Sequence, residues 1–403
     1  MRKKQRQTAS VRTIAPRATA VAVGHQPIAD DDDLVEIGPA LNCSHVSQLH
    51  GRPYPVQFRN QGAIEAWTRA LENNPVWARW AHPQTTAWEI RQELHAALHD
   101  LHPSTQLTDK AFASLARDRH LLAVEISANL KYHLSKGTII EATPALETLL
   151  TNSDVDLILP MSMVAPPYSA QYLRFGEAAM QYLKLPDAHI SERYFDGVFC
   201  FFTPPSPHGI GGPTSWTLEL VFISKRHDCC DRLVALVGAT DRGDTPVGAW
   251  LEGVLIPVAD ELSNDYFQPM HAAVSYVVKL FLYMALKQAR AIEHREYDEA
   301  LRRAAGRGER KRGKLLQRSA ALFNGIMVGP DSAPSAPVGQ GAGGGVAPHW
   351  RRGHFRMQPY GPGRQERKLI FVAPVLIHAD QIQGEAPTPK PYRAGAPSAA
   401  MPG

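Results

Sequence analysis

The chain has 403 residues and a net charge of +4, from 43 Lys and Arg against 39 Asp and Glu. Its 44% hydrophobic content is enough for a sizeable core and excludes a wholly disordered chain. Cys43, Cys200, Cys229 and Cys230 show neither a disulfide framework nor a Cys-x-x-Cys pair. The expectation is therefore reduced thiols in the cytoplasm, no thiolate metal site and no cofactor.

Residues 1–55 read as a charge-segregated tail, with basic Arg2 to Arg6 ahead of acidic Asp30 to Asp33 and no apolar run of signal-peptide type. A helical part over residues 56–153 follows. Ile64, Trp67 and Leu71 recur at helical spacing up to Pro75, and Ile90, Leu94, Leu98 and Leu101 do so again. A third helix is expected from Ala111 to Leu134 with Gly137 as its stop, and Thr143-Pro144 caps a fourth. His95 and His99 share the i, i+4 step of a zinc helix, but Ala96 stands where that motif needs its Glu, so they read as a solvated face.

From residue 154 to 330 the pattern changes. Tyr194 to Phe202 and Trp216 to Ile223, rich in aromatic and β-branched residues around a Pro/Gly turn, read as paired antiparallel strands. Gln171 to Phe175, Leu233 to Val237 and Trp250 to Ile256 are expected as further strands. Pro269 to about Ala305 gives one long helix, apolar nearly all round up to Lys287 and charged beyond it, and Ala272 to Leu286 suits burial better than a membrane span. A basic stretch, Arg302 to Arg318, leads to a flexible linker over 331–348; a basic hairpin module over 349–380 and a second tail over 381–403 complete the chain. The fold expected is α+β: a helical layer on a central antiparallel sheet, a long core helix and a C-terminal basic β-hairpin.

The hairpin carries the distinctive chemistry. Tyr360-Gly361-Pro362-Gly363 reads as its turn, and Leu369 to Val372 as a strand that must dock on the body. Candidate residues for an RNA or partner contact are His349, Trp350, Arg351, Arg352, His354, Phe355, Arg356, Arg364, Arg367 and Lys368, because guanidinium forks bind phosphate or carboxylate and rings stack on bases. The same residues fit a solvated hairpin whose aromatics cover the core, and the spacing does not decide between the two. His349 and His354 are candidate acid–base groups for a metal-independent ribonuclease. A concentration of aromatics at Tyr172, Phe175, Tyr194 and Trp216 makes these the candidate peptide-binding residues.

Pro348 through Phe355 resembles the C-terminal Pro-His-x-Arg-Arg-Gly-His-aromatic signature of a phage- and plasmid-borne family that includes the second-named type V-A anti-CRISPR protein. The resemblance is specific over about 30 residues and extends more weakly back through Leu159-Pro160 and the helix from Pro269. It implies a mobile-element accessory protein that recognises a target polypeptide, as a nascent chain on the ribosome, and lowers its expression through loss of the message. A nonenzymatic role is favoured on this reading. The alternatives are the ribonuclease and a plasmid or phage nucleic-acid-binding regulator. The partners expected are a polypeptide and RNA, with no membrane, and the oligomeric state is left open.

Overall fold

The computed structural model describes residues 19–21, 52–60, 79–80, 82, 85–100, 123–155, 158–164, 166–183, 193–205, 215–226, 229–241, 245–259, 264–332 and 349–377. The expected tails and linker fall almost entirely outside these residues, as do most of the two helices expected around Ile64 and Ala111.

Three layers form the body. The sheet has eight strands: β1 (Thr19–Val21), β2 (Thr138–Ala142), β4 (Ala170–Arg174), β5 (Arg193–Thr203), β6 (Ser215–Arg226), β7 (Cys229–Asp241), β8 (Ala291–Arg295) and β9 (Asn324–Val328). Their order is β1-β7-β6-β5-β4-β2-β9-β8. The long strands β5, β6 and β7 form the expected antiparallel meander. The sheet is nevertheless mixed, not wholly antiparallel, because β2 lies parallel to both β4 and β9. Parallel neighbours need long crossovers in place of tight turns, so turn signals could not reveal them.

Alternation along the strands divides the core. Ile139, Tyr172, Phe199, Phe201, Val221 and Ile223 face one side, where they meet α1 (Tyr54–Asn60), α2 (Ala87–Asp100) and α3 (residues 123–134). Ile140, Leu173, Val198, Cys200, Leu220 and Phe222 face the other. That side is covered by α4 (Pro144–Thr151), α5 (Glu177–Tyr182), α6 (Val247–Ala259) and α7 (Asn264–Met284). Thr143 caps α4 by accepting from the Leu146 N–H at 3.2 Å, with Pro144 in the first turn, as its sequence predicts.

Two expected elements differ. Trp250 to Ile256 is helical, not a strand: Trp250, Leu251, Val254 and Leu255 are buried at i, i+1, i+4 and i+5, a helical period that strand-forming composition concealed. The long helix ends at Met284 instead of Ala305. Residues 285–290 turn, and Ala291–Arg295 becomes β8 because it pairs antiparallel with β9, a tertiary contact that overrides local helix preference. The charged continuation is a separate helical hairpin, α8 (Glu296–Ala304) and α9 (Glu309–Ser319).

Helix α7 is apolar nearly all round from Val274 to Tyr283 because it is covered on most sides there. Val274, Tyr276, Val277, Leu280, Phe281 and Leu282 are at most 1% exposed. Outside it lies a C-terminal ladder: β10 (His349–Arg351) pairs with β13 (Val375–Ile377), and β11 (Gly353–Tyr360) with β12 (Glu366–Val372). The short β3 (Ser153–Val155), directly after α4, runs parallel to β11. No helix among the described residues is long and apolar enough to cross a membrane.

Lys279 interrupts the apolar surface of α7. It is 3% exposed, and its ammonium donates to the carbonyls of Leu150 (2.7 Å) and Ser153 (3.0 Å). Burial pushes its pKa down to about 8, against an opposing pull from Asp154. In the unfolded chain it titrates near 10.5, so between these values the unfolded state binds more protons and stability rises with pH. Denaturant titrations of the wild type should therefore gain on the order of 3 kcal/mol from pH 8 to 10.5 relative to Lys279→Met; parallel curves would show that the lysine is not desolvated.

Candidate functional site

The C-terminal ladder divides its cations between its two faces and its turn. Phe355, expected at a binding surface, is 0% exposed; it stacks on Phe371 with ring centroids 4.6 Å apart, and Phe371 meets Tyr283 of α7 edge-on. The register puts Phe355, Met357 and Pro359 on one face with Phe371, Leu369 and Arg367. His354, Arg356, Gln358 and Tyr360 lie on the other with Val372, Ile370, Lys368 and Glu366. Thus Arg356 and Lys368 share a face that Arg367 does not, and Arg364 sits in the turn. Arg352 is held 3.2 Å from Asp154. At the tip the Tyr360 hydroxyl bonds the Glu366 carboxylate, which raises its pKa, and the Lys368 ammonium lies 5.6 Å from the Tyr360 ring. Arg351, Arg356, Arg364, Arg367 and Lys368 are exposed and His354 is half-buried, while the side chains of His349 and Trp350 lie outside the described residues.

Gly353 is explained by close approach: a Cβ there would lie 2.4 Å from Ser153 Oγ and 2.6 Å from Pro374 Cδ. Its N–H donates to the Asn152 carbonyl at 3.1 Å. His349 belongs to β10 and His354 to β11, strands of two separate small sheets.

Among the described residues, three of the four aromatics named for a peptide pocket are buried. Tyr172, Phe175 and Trp216 are 0%, 1% and 7% exposed, and Tyr172 points to the opposite side of the sheet from the other two. The Tyr172 hydroxyl donates to Asp196 at 2.6 Å inside the core. These rings are concentrated in the sequence because they pack the sheet's two faces. The Tyr194 side chain lies outside the described residues.

An open site lies elsewhere. A cavity of about 430 Å³ sits where α1, the end of α3, β2, β8, β9 and α8 meet, and its polar walls include Arg59, His133, Lys136, Glu293, Arg295 and Asp298. Arg59 stacks 3.8 Å over the Tyr297 ring and donates to the Leu322 carbonyl at 2.8 Å, which ties α1 to the segment before β9. Asn324 Oδ1 accepts from the Asp298 N–H at 3.1 Å, and Arg295 pairs with Glu293 at 2.8 Å. Burial, aided by the Arg59 charge, pushes the His133 pKa down to about 4.

Beside this cavity the sheet stops at β8, whose outer edge carries no strand among the described residues. The Gly329 N–H donates to the Arg290 carbonyl, which makes Arg290–Gly329 a bonded rung. Alternation then makes Ile292–Met327 and His294–Gly325 bonded rungs too. The backbone N–H and C=O groups of Ala291, Glu293 and Arg295 therefore point outward. Ile292 and Met327, cross-strand neighbours, stay 49% and 39% exposed. A short charged edge was legible as a run of residues but hidden by its helical look.

Comparison with known proteins gives the family. The family model described as AcrVA2-like, Anti-CRISPR type V subtype A2 family, matches residues 140–379, which run from within β2 to beyond β13 and include the β8, β9 and α8 walls of the cavity but not its walls from α1, α3 and residues 136–139. The chain belongs to the AcrVA2-like family. A solved structure described as the crystal structure of AcrVA2 is similar over 79% of this chain and 98% of that chain, at 12% identity and a TM-score of 0.36. No curated protein matches. In this AcrVA2-like chain the family match reaches well beyond Pro348 to Phe355 and takes in the edge strand β8, its partner β9 and the helices α8 and α9.

Two measurements check this assignment of roles. Phe355→Ala should destabilise by about 3 to 5 kcal/mol in denaturant titration, as deletion of a core ring does, and Arg356→Ala by less than about 0.5 kcal/mol; equal small effects would return Phe355 to the surface. His133 has a folded pKa below its unfolded 6.5, so its contribution is present above pH 6.5 and is lost as pH falls towards 4. His133→Phe should remove on the order of 2 kcal/mol of that acid sensitivity, read as a smaller stability loss between pH 6.5 and 4.

Proposed function

We propose that this chain is a type V-A anti-CRISPR inhibitor that binds an extended stretch of its target polypeptide, captured as it is synthesised, and lowers production of that target through loss of its message. Membership of the AcrVA2-like family supports the anti-CRISPR role. The observation that carries polypeptide binding is the outward-facing edge of β8 beside a polar cavity. An extended peptide can add a strand to such an edge through main-chain hydrogen bonds, while side chains at alternate positions set specificity. The exposed Ile292–Met327 pair offers an apolar contact on one face, and Arg295, Lys136, Glu293 and Asp298 offer both charges around the cavity. Single-sign pockets select one charge; this mixed rim fits a polypeptide segment carrying both.

The edge can be blocked without disturbing the fold. Proline at residue 293 removes an outward N–H and leaves the bonded rungs to β9 intact. Short overlapping peptides tiling a type V-A effector, titrated by fluorescence anisotropy, should include at least one that binds the wild type and binds Glu293→Pro at least tenfold more weakly at unchanged thermal stability. Equal binding by the variant would remove β8 as the site, and no binding by any peptide, with no capture of the effector's nascent chains in a translation extract, would remove polypeptide recognition itself.

A further inference from the structure

The basic stretch seen in the sequence is neither a tail nor part of the C-terminal ladder. It forms the helical hairpin α8–α9. The hairpin carries eight Lys and Arg against four carboxylates; Glu296, Asp298 and Glu299 lie in the first turn of α8, and beyond them, from Arg302 to Arg318, Glu309 is the one carboxylate, in a chain whose whole net charge is +4. All eight cations are exposed, and among the described residues only Arg303 has an ion-pair partner, Glu299 one turn earlier at 3.3 Å. A Cβ built at Gly306, Gly308 or Gly313 meets nothing within 4 Å, so no other described part of the chain stands over the turn or the start of α9.

Helix α9 is poorly supported by its own fold. Ser319 is its only buried residue, and Arg310 and Lys314 are like charges at i, i+4, a destabilising arrangement on a helix that is short for an isolated one. A polyanion laid along it would relieve that repulsion. The chemistry of the surface narrows the polyanion. Six arginines among the eight cations present planar forks suited to phosphate. A membrane-surface helix needs a broad apolar face bearing Trp, Phe or Leu; here Leu301 and Leu316 are the only exposed large hydrophobics, each 36% exposed. Base-reading side chains are equally scarce on the hairpin, since its one ring, Tyr297, lies under Arg59. Contacts would therefore be to the backbone of a nucleic acid, with little sequence preference.

Position selects the kind of nucleic acid. Arg295 ends β8 and Glu296 begins α8, so the basic hairpin grows directly out of the edge strand. We infer that α8–α9 is an RNA-binding surface that grips the phosphate backbone of RNA next to the polypeptide edge. The choice of RNA over DNA rests on the proposed reading that the target is met during its synthesis, where polypeptide and RNA occur side by side.

The test uses the full-length protein and a fluorescent heteropolymeric single-stranded RNA, with an RNA hairpin, duplex DNA and phosphatidylserine-containing vesicles as further arms. Wild type should bind RNA with log affinity falling linearly against log salt. The quadruple variant Arg310→Gln, Lys311→Gln, Arg312→Gln, Lys314→Gln should bind at least tenfold more weakly, with a slope shallower by about 0.7 for each phosphate it no longer neutralises. Arg356→Gln with Lys368→Gln, on the C-terminal ladder, should leave affinity and slope near wild type. An unchanged slope in the quadruple variant overturns the inference. So does loss confined to the ladder variant, or binding to duplex DNA or vesicles in preference to RNA. Glu293→Pro separates the two readings: RNA binding that survives in it while peptide binding is lost, or RNA binding by a wild type that captures no peptide, leaves this surface standing whatever becomes of the peptide site.

Discussion

A lysine ammonium sits in the last third of α7, the longest helix among the described residues, with its hydrogen bonds going to two backbone carbonyls. Removing such a charge from water costs several kcal/mol unless its donors are satisfied. Lys279 meets that requirement only if the end of α4 and the start of β3 are held where Leu150 and Ser153 can accept. The same few residues then receive the C-terminal ladder: the Asn152 carbonyl accepts from Gly353, and Ser153 pairs with Gly353 in the parallel rung. With Gly353 seated, Phe355 drops into the core and Phe371 closes over Tyr283. The lysine thus ties α7 to the junction of α4 and β3 on which the C-terminal ladder is seated.

That coupling explains why the Arg-Arg-Gly-His-aromatic segment reads so strongly in the sequence while its side chains do different jobs. Gly353 is fixed by clearance, Phe355 by burial and Arg352 by Asp154. Interleaved Arg and aromatic residues in one dimension suggest one surface, but strand alternation sends neighbours to opposite faces. The hairpin turn was legible because Gly361 and Gly363 take positive φ, which few other residues adopt. The α4 cap was legible for a similar local reason. The parallel pairing of β2 was not, since Ile139 and Ile140 are two adjacent apolar residues whose partners, β4 and β9, lie far away in the chain. The edge strand and cavity were missed because residues 291–295 have helix-compatible composition; only β9, arriving later in the sequence, makes them a strand.

The two open surfaces share one support. Strand β8 is anchored on its inner side by β9, and β9 also carries Asn324, which accepts from the N–H of Asp298 in α8. Arg59, stacked on Tyr297 and bonded to Leu322, clamps the same corner from α1. The edge, the cavity and the root of the basic hairpin are therefore parts of one rigid corner of the sheet. Beyond that corner α9 has almost no burial to hold it. Stability is concentrated where a polypeptide would add to the sheet and is thin where a polyanion would lie.

Joining a rigid edge to a weakly supported cationic arm has a consequence for selectivity. Backbone-only RNA contacts are sequence-tolerant and weaken steeply with salt, and a single added strand gives modest affinity. Either surface alone would leave the protein distributed among many polypeptides and many RNAs. When both ligands belong to one assembly, the second binding event becomes intramolecular, and effective concentration can raise apparent affinity by roughly a hundredfold or more without any new interaction. The distance between the sites sets that gain, and here the edge strand and the basic helix α9 are joined through the nine residues of α8, about 14 Å of helix. Selectivity for a chain still attached to its message would then follow from geometry, without either surface having to be highly specific alone.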